Sequence, residues 1–263
     1  MQTLITRSGL LLLLFSCLFN GKTNAQEGYV KYRQLLNLDS TLYAKDTTGV
    51  PAFLYFRSNR SLYVYNRTRD TKTFPSFLER LEQGATELSY VPTDKHGNMF
   101  YKDFAEQRLF IRQLVWGRAF LSSEPLPFQN WALLPDSTIL LNFHCRKAVT
   151  RFRGRIYEAW FCPSIPIRDG PWKFHGLPGL ILQVADAQRE IIMIAESLQI
   201  PAYTGNELQK PAHGRLISFE DLKHIEETET EKLARFLRTA ADRGREQIGI
   251  DYHLYPIEKE YER

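Results

Sequence analysis

Cysteine is scarce in this chain. Its 263 residues hold three, Cys17, Cys145 and Cys162, too few for a disulfide-dense miniprotein. Long apolar runs are missing beyond residue 25, where nothing approaches the roughly 20 residues that a membrane-spanning helix needs. No charge of one sign dominates either, with 34 Lys and Arg against 30 Asp and Glu. Taking away residues 1–25 removes Arg7 and Lys22 and no acid, so the formal charge falls from +4 to +2. That balance speaks against a nucleic-acid partner, which needs a dominant basic face. The 15 Gly and 13 Pro follow no period, which excludes a collagen-like chain. His-Glu-x-x-His, phosphate-binding loops and dinucleotide fingerprints are absent. His144 and Cys145 are neighbours, but strand alternation points them to opposite faces and no other His or Cys stands at ligand spacing. No metal and no cofactor is expected.

What the chain has is apolar and aromatic content, 43% and 13%, enough for a sizeable core and too much for disorder. Residues 1–25 read as a secretory signal peptide. Arg7 supplies the basic start, Leu10 to Phe19 the short apolar stretch, and Thr23-Asn24-Ala25 a small-residue cleavage site before Gln26. Leu14-Phe15-Ser16-Cys17 offers a rival route, lipidation at Cys17, with Phe15 bulkier than such a site prefers. Residues 26–263 are expected to form a single domain, exported to the periplasm or the outer membrane, with no transmembrane span.

Period-2 patterning runs from Gln26 to about Ile200. Phe53–Phe56 and Ser61–Tyr65 flank Arg57-Ser58-Asn59-Arg60 as a hairpin. Met99–Lys102, Leu109–Leu114, Gly117–Leu121, Ile139–Thr150, Arg155–Phe161, Leu180–Ala185 and Glu190–Glu196 are further strands. Ser122–Gln129 reads as a proline-punctuated loop within the domain. After Ser218 the period becomes helical, with Leu222, Ile225, Leu233, Phe236, Leu237 and Ala240 on one stripe. Ser218 is placed to cap the helix, acids lie early, Arg235, Arg238 and Arg243 lie late, and Gly244 is a plausible stop. The fold class is mainly β: a curved antiparallel sheet or half-barrel with a C-terminal amphipathic helix packed on it.

Arg153-Gly154 suits a two-residue primed turn, which sets Phe152 opposite Arg155. Counted outward from that pair, Cys145 falls opposite Cys162, close enough for a cross-strand disulfide; two free buried thiols are the alternative. Arg146, Lys147, Arg151, Arg153 and Arg155 make the hairpin basic, most simply as a solvated tip.

Pro163, Pro166, Pro171 and Pro178 remove amide donors, so residues 163–178 form neither a central strand nor a helix. Gly170, Gly176 and Gly179 allow tight backbone approach, and Trp160, Trp172, Phe174, Leu177 and Leu180 supply apolar surface. Such an arch either caps its own sheet or rims an apolar groove. Ser164, Asp169 and His175 can also be drawn as a hydrolytic set, although no Gly-x-Ser-x-Gly elbow surrounds Ser164.

Gly176-Leu177-Pro178-Gly179-Leu180-Ile181 spells the hexapeptide of the GLPGLI family. Cys145-Arg146-Lys147-Ala148, the turn at 152–155, Ala159-Trp160-Phe161, Ile165-Pro166-Ile167 and Gly170-Pro171-Trp172-Lys173-Phe174 also resemble that family. The similarity is dense over residues 138–185, and Cys162 departs from it, standing where a small polar residue is expected. The resemblance implies an exported protein of a two-membrane bacterium and a β-rich architecture, without a reaction. The leading expectation is non-enzymatic binding of a lipid, an apolar peptide or an outer-membrane protein partner. Trp160, Trp172, Phe174, Gly176, Leu177, Pro178, Gly179 and Leu180 would line the site. One alternative is a hydrolase using His175 with Asp169 or Ser164. Another is a structural accessory of an outer-membrane transport receptor.

Overall fold

Two residues decide how the central hairpin closes. Arg153 and Gly154 both hold positive φ, 48° and 71°, the paired left-handed geometry of a primed turn whose twist matches that of the strands. Phe152 therefore faces Arg155, and the register continues unbroken to Arg146 opposite Phe161. This computed structural model describes residues 27–36, 49–67, 94–115 and 117–242, with the side chains of 230, 233, 234 and 236–242 left aside. The expected leader, Cys17 and the stop at Gly244 lie outside the described residues, as do the side chains of the helical stripe from Leu233 onward.

The elements follow in order as β1 (Glu27–Leu36), β2 (Val50–Arg57), β3 (Arg60–Tyr65), β4 (Asn98–Asp103), β5 (Arg108–Val115) and β6 (Arg118–Pro125). Then come β7 (Ala132–Leu140), β8 (Phe143–Phe152), β9 (Arg155–Cys162), β10 (Leu180–Asp186), β11 (Ile191–Gln199), β12 (Arg215–Leu216) and the helix α1 (Phe219–Asp242). All twelve strands share one sheet in the order β12-β6-β5-β4-β3-β2-β1-β11-β10-β9-β8-β7. Strand pairing is antiparallel except for β12 with β6, so the sheet is mixed. Its two ends, β12 and β7, do not meet: the sheet is open and not a closed barrel.

The expected strands are present, with two changes. Ile139–Thr150 is not one strand, because Leu141 and Asn142 take positive φ (48° and 65°) and fold β7 back on β8. The expected loop at Ser122–Gln129 begins later, since β6 continues to Pro125.

Alternation sorts the side chains. Tyr63 and Tyr65 of β3 join the main core, with Val30, Leu54, Phe100, Ile111 and Phe161. Leu62 and Val64, one residue out of phase, join Met99 and Tyr101 in a second cluster, against which Phe53, Phe110 and Leu208 pack. The middle of the sheet is thus apolar on both faces. Helix α1 begins as read from sequence: Asp221 N donates to Ser218 Oγ at 2.9 Å. Leu222 is buried, and Phe219 and Ile225 pack against the main core. Of the late arginines, Arg235 is exposed, and the side chain of Arg238 and all of Arg243 lie outside the described residues. The basic hairpin also differs from a solvated tip. Arg153 and Arg155 are buried and paired, Arg153 with Glu124 at 2.5 Å and Arg155 with Asp186 at 2.8 Å.

Candidate functional site

Residues 163–179 leave β9 at Cys162 and return to the sheet at Leu180, its partner in β10. Prolines have removed several donors along the way, so the remaining amides close the arch on itself. Ile165 N donates to Cys162 O (3.2 Å), Gly176 N to Arg168 O (3.0 Å) and Leu180 N to Ile165 O (3.0 Å). Asp169 and His175 form an isolated antiparallel bridge across it. The return is tight at Gly179, which has φ +154°; a Cβ there would stand 2.2 Å from the Cys162 carbonyl oxygen.

Charges from the sheet hold the arch down. Lys102 lies in phase with Phe100 on β4, and its ammonium contacts the Asp169 carboxylate and donates to Gly170 O (2.7 Å) and Phe174 O (3.2 Å). Neither side chain of this pair reaches water, at 0% and 3% exposure. Burial pushes the Lys102 pKa down, and Asp169 opposes that shift. Glu124, in phase with Phe120 and Ser122 on β6, accepts from Lys173 Nζ (2.6 Å) and from Arg153 Nη2 (2.5 Å). The segment after β6 then fastens one flank. Trp131 Nε1 donates to His175 O (2.9 Å), and His175 N donates to the Gln129 side chain (3.2 Å). The Pro127 carbonyl can only accept, so His175 Nε2, 2.8 Å away, carries the proton. Burial first, and then the charge of Lys102, brings the His175 pKa down to about 4.

The structure divides the expected binding residues into two groups. Trp172, Phe174, Leu177 and Leu180 are buried in the main core. Trp172 packs edge-on against Phe100, Phe152 and Phe174 at 6.3, 5.8 and 5.3 Å between centroids. Tyr157 meets Phe174 at 4.7 Å. These rings fill the core and do not line an open groove. Pro178 is exposed, Gly176 is partly exposed with open space where a side chain would sit, and Gly179 forms the return just described. Trp160, out of phase with Phe161, lies partly exposed with Lys147 Nζ 5.8 Å from its ring centroid.

The hydrolytic set is not assembled. Ser164 Oγ lies 3.0 Å from Cys162 Sγ, Asp169 is held by Lys102, and His175 is held by Pro127. Asp169 and His175 are joined through their backbones alone. Cys145 and Cys162 are both buried free thiols, so the expected bridge is not formed, although the β8–β9 register runs as expected as far as its last pair, Arg146 opposite Phe161. Among the described residues no cluster could hold a metal ion, and no helix is long and apolar enough to cross a membrane. Sequence reasoning missed Lys102, Glu124, Gln129 and Trp131. The first two were detectable as charges standing at inward phase in apolar strands, while the last two carry no such signal.

A family model described as "Protein of unknown function (Porph_ging)" matches residues 146–183, from β8 through the arch into β10. No curated protein matches the chain. Among solved structures, PNGF-II in its P21 crystal form is similar at a TM-score of 0.52 and 13% identity, over 76% of this chain and 33% of that one. The C2 crystal form of PNGF-II gives the same TM-score and identity, over 32% of its chain. The chain spans about one third of the length of PNGF-II, and at this identity the likeness concerns the fold.

Proposed function

We propose that this chain is an exported cell-envelope protein of the GLPGLI type that binds an envelope partner without catalysis, through the outer side of the arch. The observation that carries this reading is how completely the arch is fixed. Its rings are in the core, its acid is neutralised by Lys102, and its histidine is neutral and hydrogen-bonded. Groups so engaged are poor nucleophiles and bases, but they make a preorganised surface, and a surface already ordered loses little entropy on binding. Pro163, Ser164, Pro166, Arg168 and Pro178 are the exposed residues of the arch, with His175 and Gly176 partly exposed, and Phe128 on the adjoining segment is 82% exposed. The family match, centred on the same segment, supports the arch as the element that such chains share. A partner at this surface is favoured over an enclosed lipid, because the rings that would line an enclosed site are packed against one another.

The test uses a photo-crosslinking residue at Pro178 or Phe128, with Ile156 on β9 as the exposed control, in protein expressed in its own envelope. Adducts at the first two positions and none at Ile156 are expected. Equal labelling at all three positions, or capture of the purified protein by a serine-reactive probe, overturns the proposal.

A further inference from the structure

Closure of the β8–β9 hairpin by a two-residue turn makes Phe152 and Arg155 a hydrogen-bonded pair, and paired positions alternate outward from it. The ladder has no slip and ends at Arg146 opposite Phe161; by alternation that pair is again hydrogen-bonded, and one step further out Cys145 and Cys162 fall on a non-hydrogen-bonded position. Opposed Cα atoms approach to about 4.5 Å at such positions, inside the range of about 4.4–6.8 Å that a disulfide spans. Both cysteines are fully buried. Burial, with Cys162 beside it, pushes the Cys145 thiol up to about 11. Residues 26–263 hold no other cysteine to compete.

We infer that Cys145 and Cys162 are a thiol–disulfide site that, once oxidised, ties both feet of the arch to β8. Cys162 is where the arch leaves the sheet, and Leu180, its β10 partner, is where the arch returns. Gly179 packs on the carbonyl of the same cysteine. A bridge to Cys145 therefore anchors the departure, the return and the neighbouring strand at one residue. In the reduced form described here, Ser164 Oγ contacts the Cys162 sulfur across the first turn of the arch, and bond formation replaces the thiol in that contact.

The chemistry is disulfide exchange. Two S–H bonds break, one S–S bond forms, and two protons and two electrons pass to a disulfide-bearing partner, which leaves as two thiols. A thiolate from one cysteine attacks the partner's disulfide, and the second cysteine displaces it from the mixed disulfide. Because neither sulfur is exposed, this exchange belongs to folding or to local opening of the hairpin. Oxidation inside the organism rests on the proposed export, whereas the pairing itself rests on geometry alone.

The experiment separates the two. The purified full chain is unfolded, refolded in glutathione buffers of rising oxidised fraction, blocked with N-ethylmaleimide in denaturant and mapped by mass spectrometry. A joined pair of peptides containing Cys145 and Cys162, two hydrogens lighter than their reduced sum, is expected. Its melting temperature should fall on addition of reductant, and that response should vanish in Cys162→Ser. Maleimide on both residues at every redox ratio overturns the inference. The same map on protein taken from its own cells reports on compartment: maleimide there with a bridge in glutathione overturns the export and keeps the pairing.

Discussion

Lys102 and Asp169 meet beneath the arch with neither side chain in water, so one β4 residue fixes the position of a segment far along the chain. Removing one member of a buried pair strands the other charge, at a cost of about 3–5 kcal/mol. Lys102→Met is expected to destabilise by that amount, read as a shift in the urea midpoint without change in slope. The double variant Lys102→Met/Asp169→Leu should recover part of the loss, because no uncompensated charge remains. A double variant as unstable as the sum of its singles would show that the pair does not act as a unit.

His175 predicts an acid limb. Its pKa is depressed in the fold to about 4 from an ordinary value of 6.5. Protonation is therefore opposed by the native state, and the stability from neutral His175 is complete above pH 6.5 and lost as pH falls toward 4. The full effect is about 3 kcal/mol. His175→Gln should flatten the urea-midpoint profile between pH 6.5 and 4; an unchanged slope would refute the assignment.

Gly179→Ala would press a methyl group on the Cys162 carbonyl oxygen at 2.2 Å. A loss of at least about 3 kcal/mol is expected from strain and displaced backbone. Gly176→Ala meets nothing within 4 Å and bears only the cost of its φ of +92°, about 1 kcal/mol. Thermal melts of the two variants should therefore differ by several degrees, with Gly179→Ala the lower.

Two tryptophans near the arch should respond oppositely. Trp172→Ala empties a core site ringed by three aromatic side chains, a loss of about 3–5 kcal/mol. Trp160→Ala removes a partly exposed ring beside Lys147 and should cost about 1 kcal/mol or less. Comparable losses at both sites would contradict the placement of Trp160 outside the core.

Much of this architecture was visible in the residues. Alternation located the strands, Arg153-Gly154 located the central turn, and Ser218 marked the helix start, because each is decided by local chemistry. The β7–β8 reversal was missed, since Leu141 and Asn142 accept left-handed φ without a glycine to announce it. Exposure of Arg153 and Arg155 was misjudged for another reason: their acidic partners, Glu124 on β6, Asp186 on β10 and Glu190 in the β10–β11 turn, are adjacent only in space. The rings of the arch were legible as apolar, but the contacts that hold them in the core, Lys102 to the carbonyls of Gly170 and Phe174 and Glu124 to the Lys173 ammonium, join residues far apart in the chain.

The position of β1 bears on biogenesis. It lies between β2, which follows it directly, and β11, which is synthesised only after nearly every other strand. A chain that folds as it emerges therefore carries β1 with one unsatisfied margin until β11 arrives, a state prone to promiscuous pairing. Tyr32 on β1 also donates its hydroxyl hydrogen to Ile181 O at 2.6 Å, a contact that waits for the same late arrivals. β1, the first of the described strands, thus becomes the seam joining the two halves of the sheet.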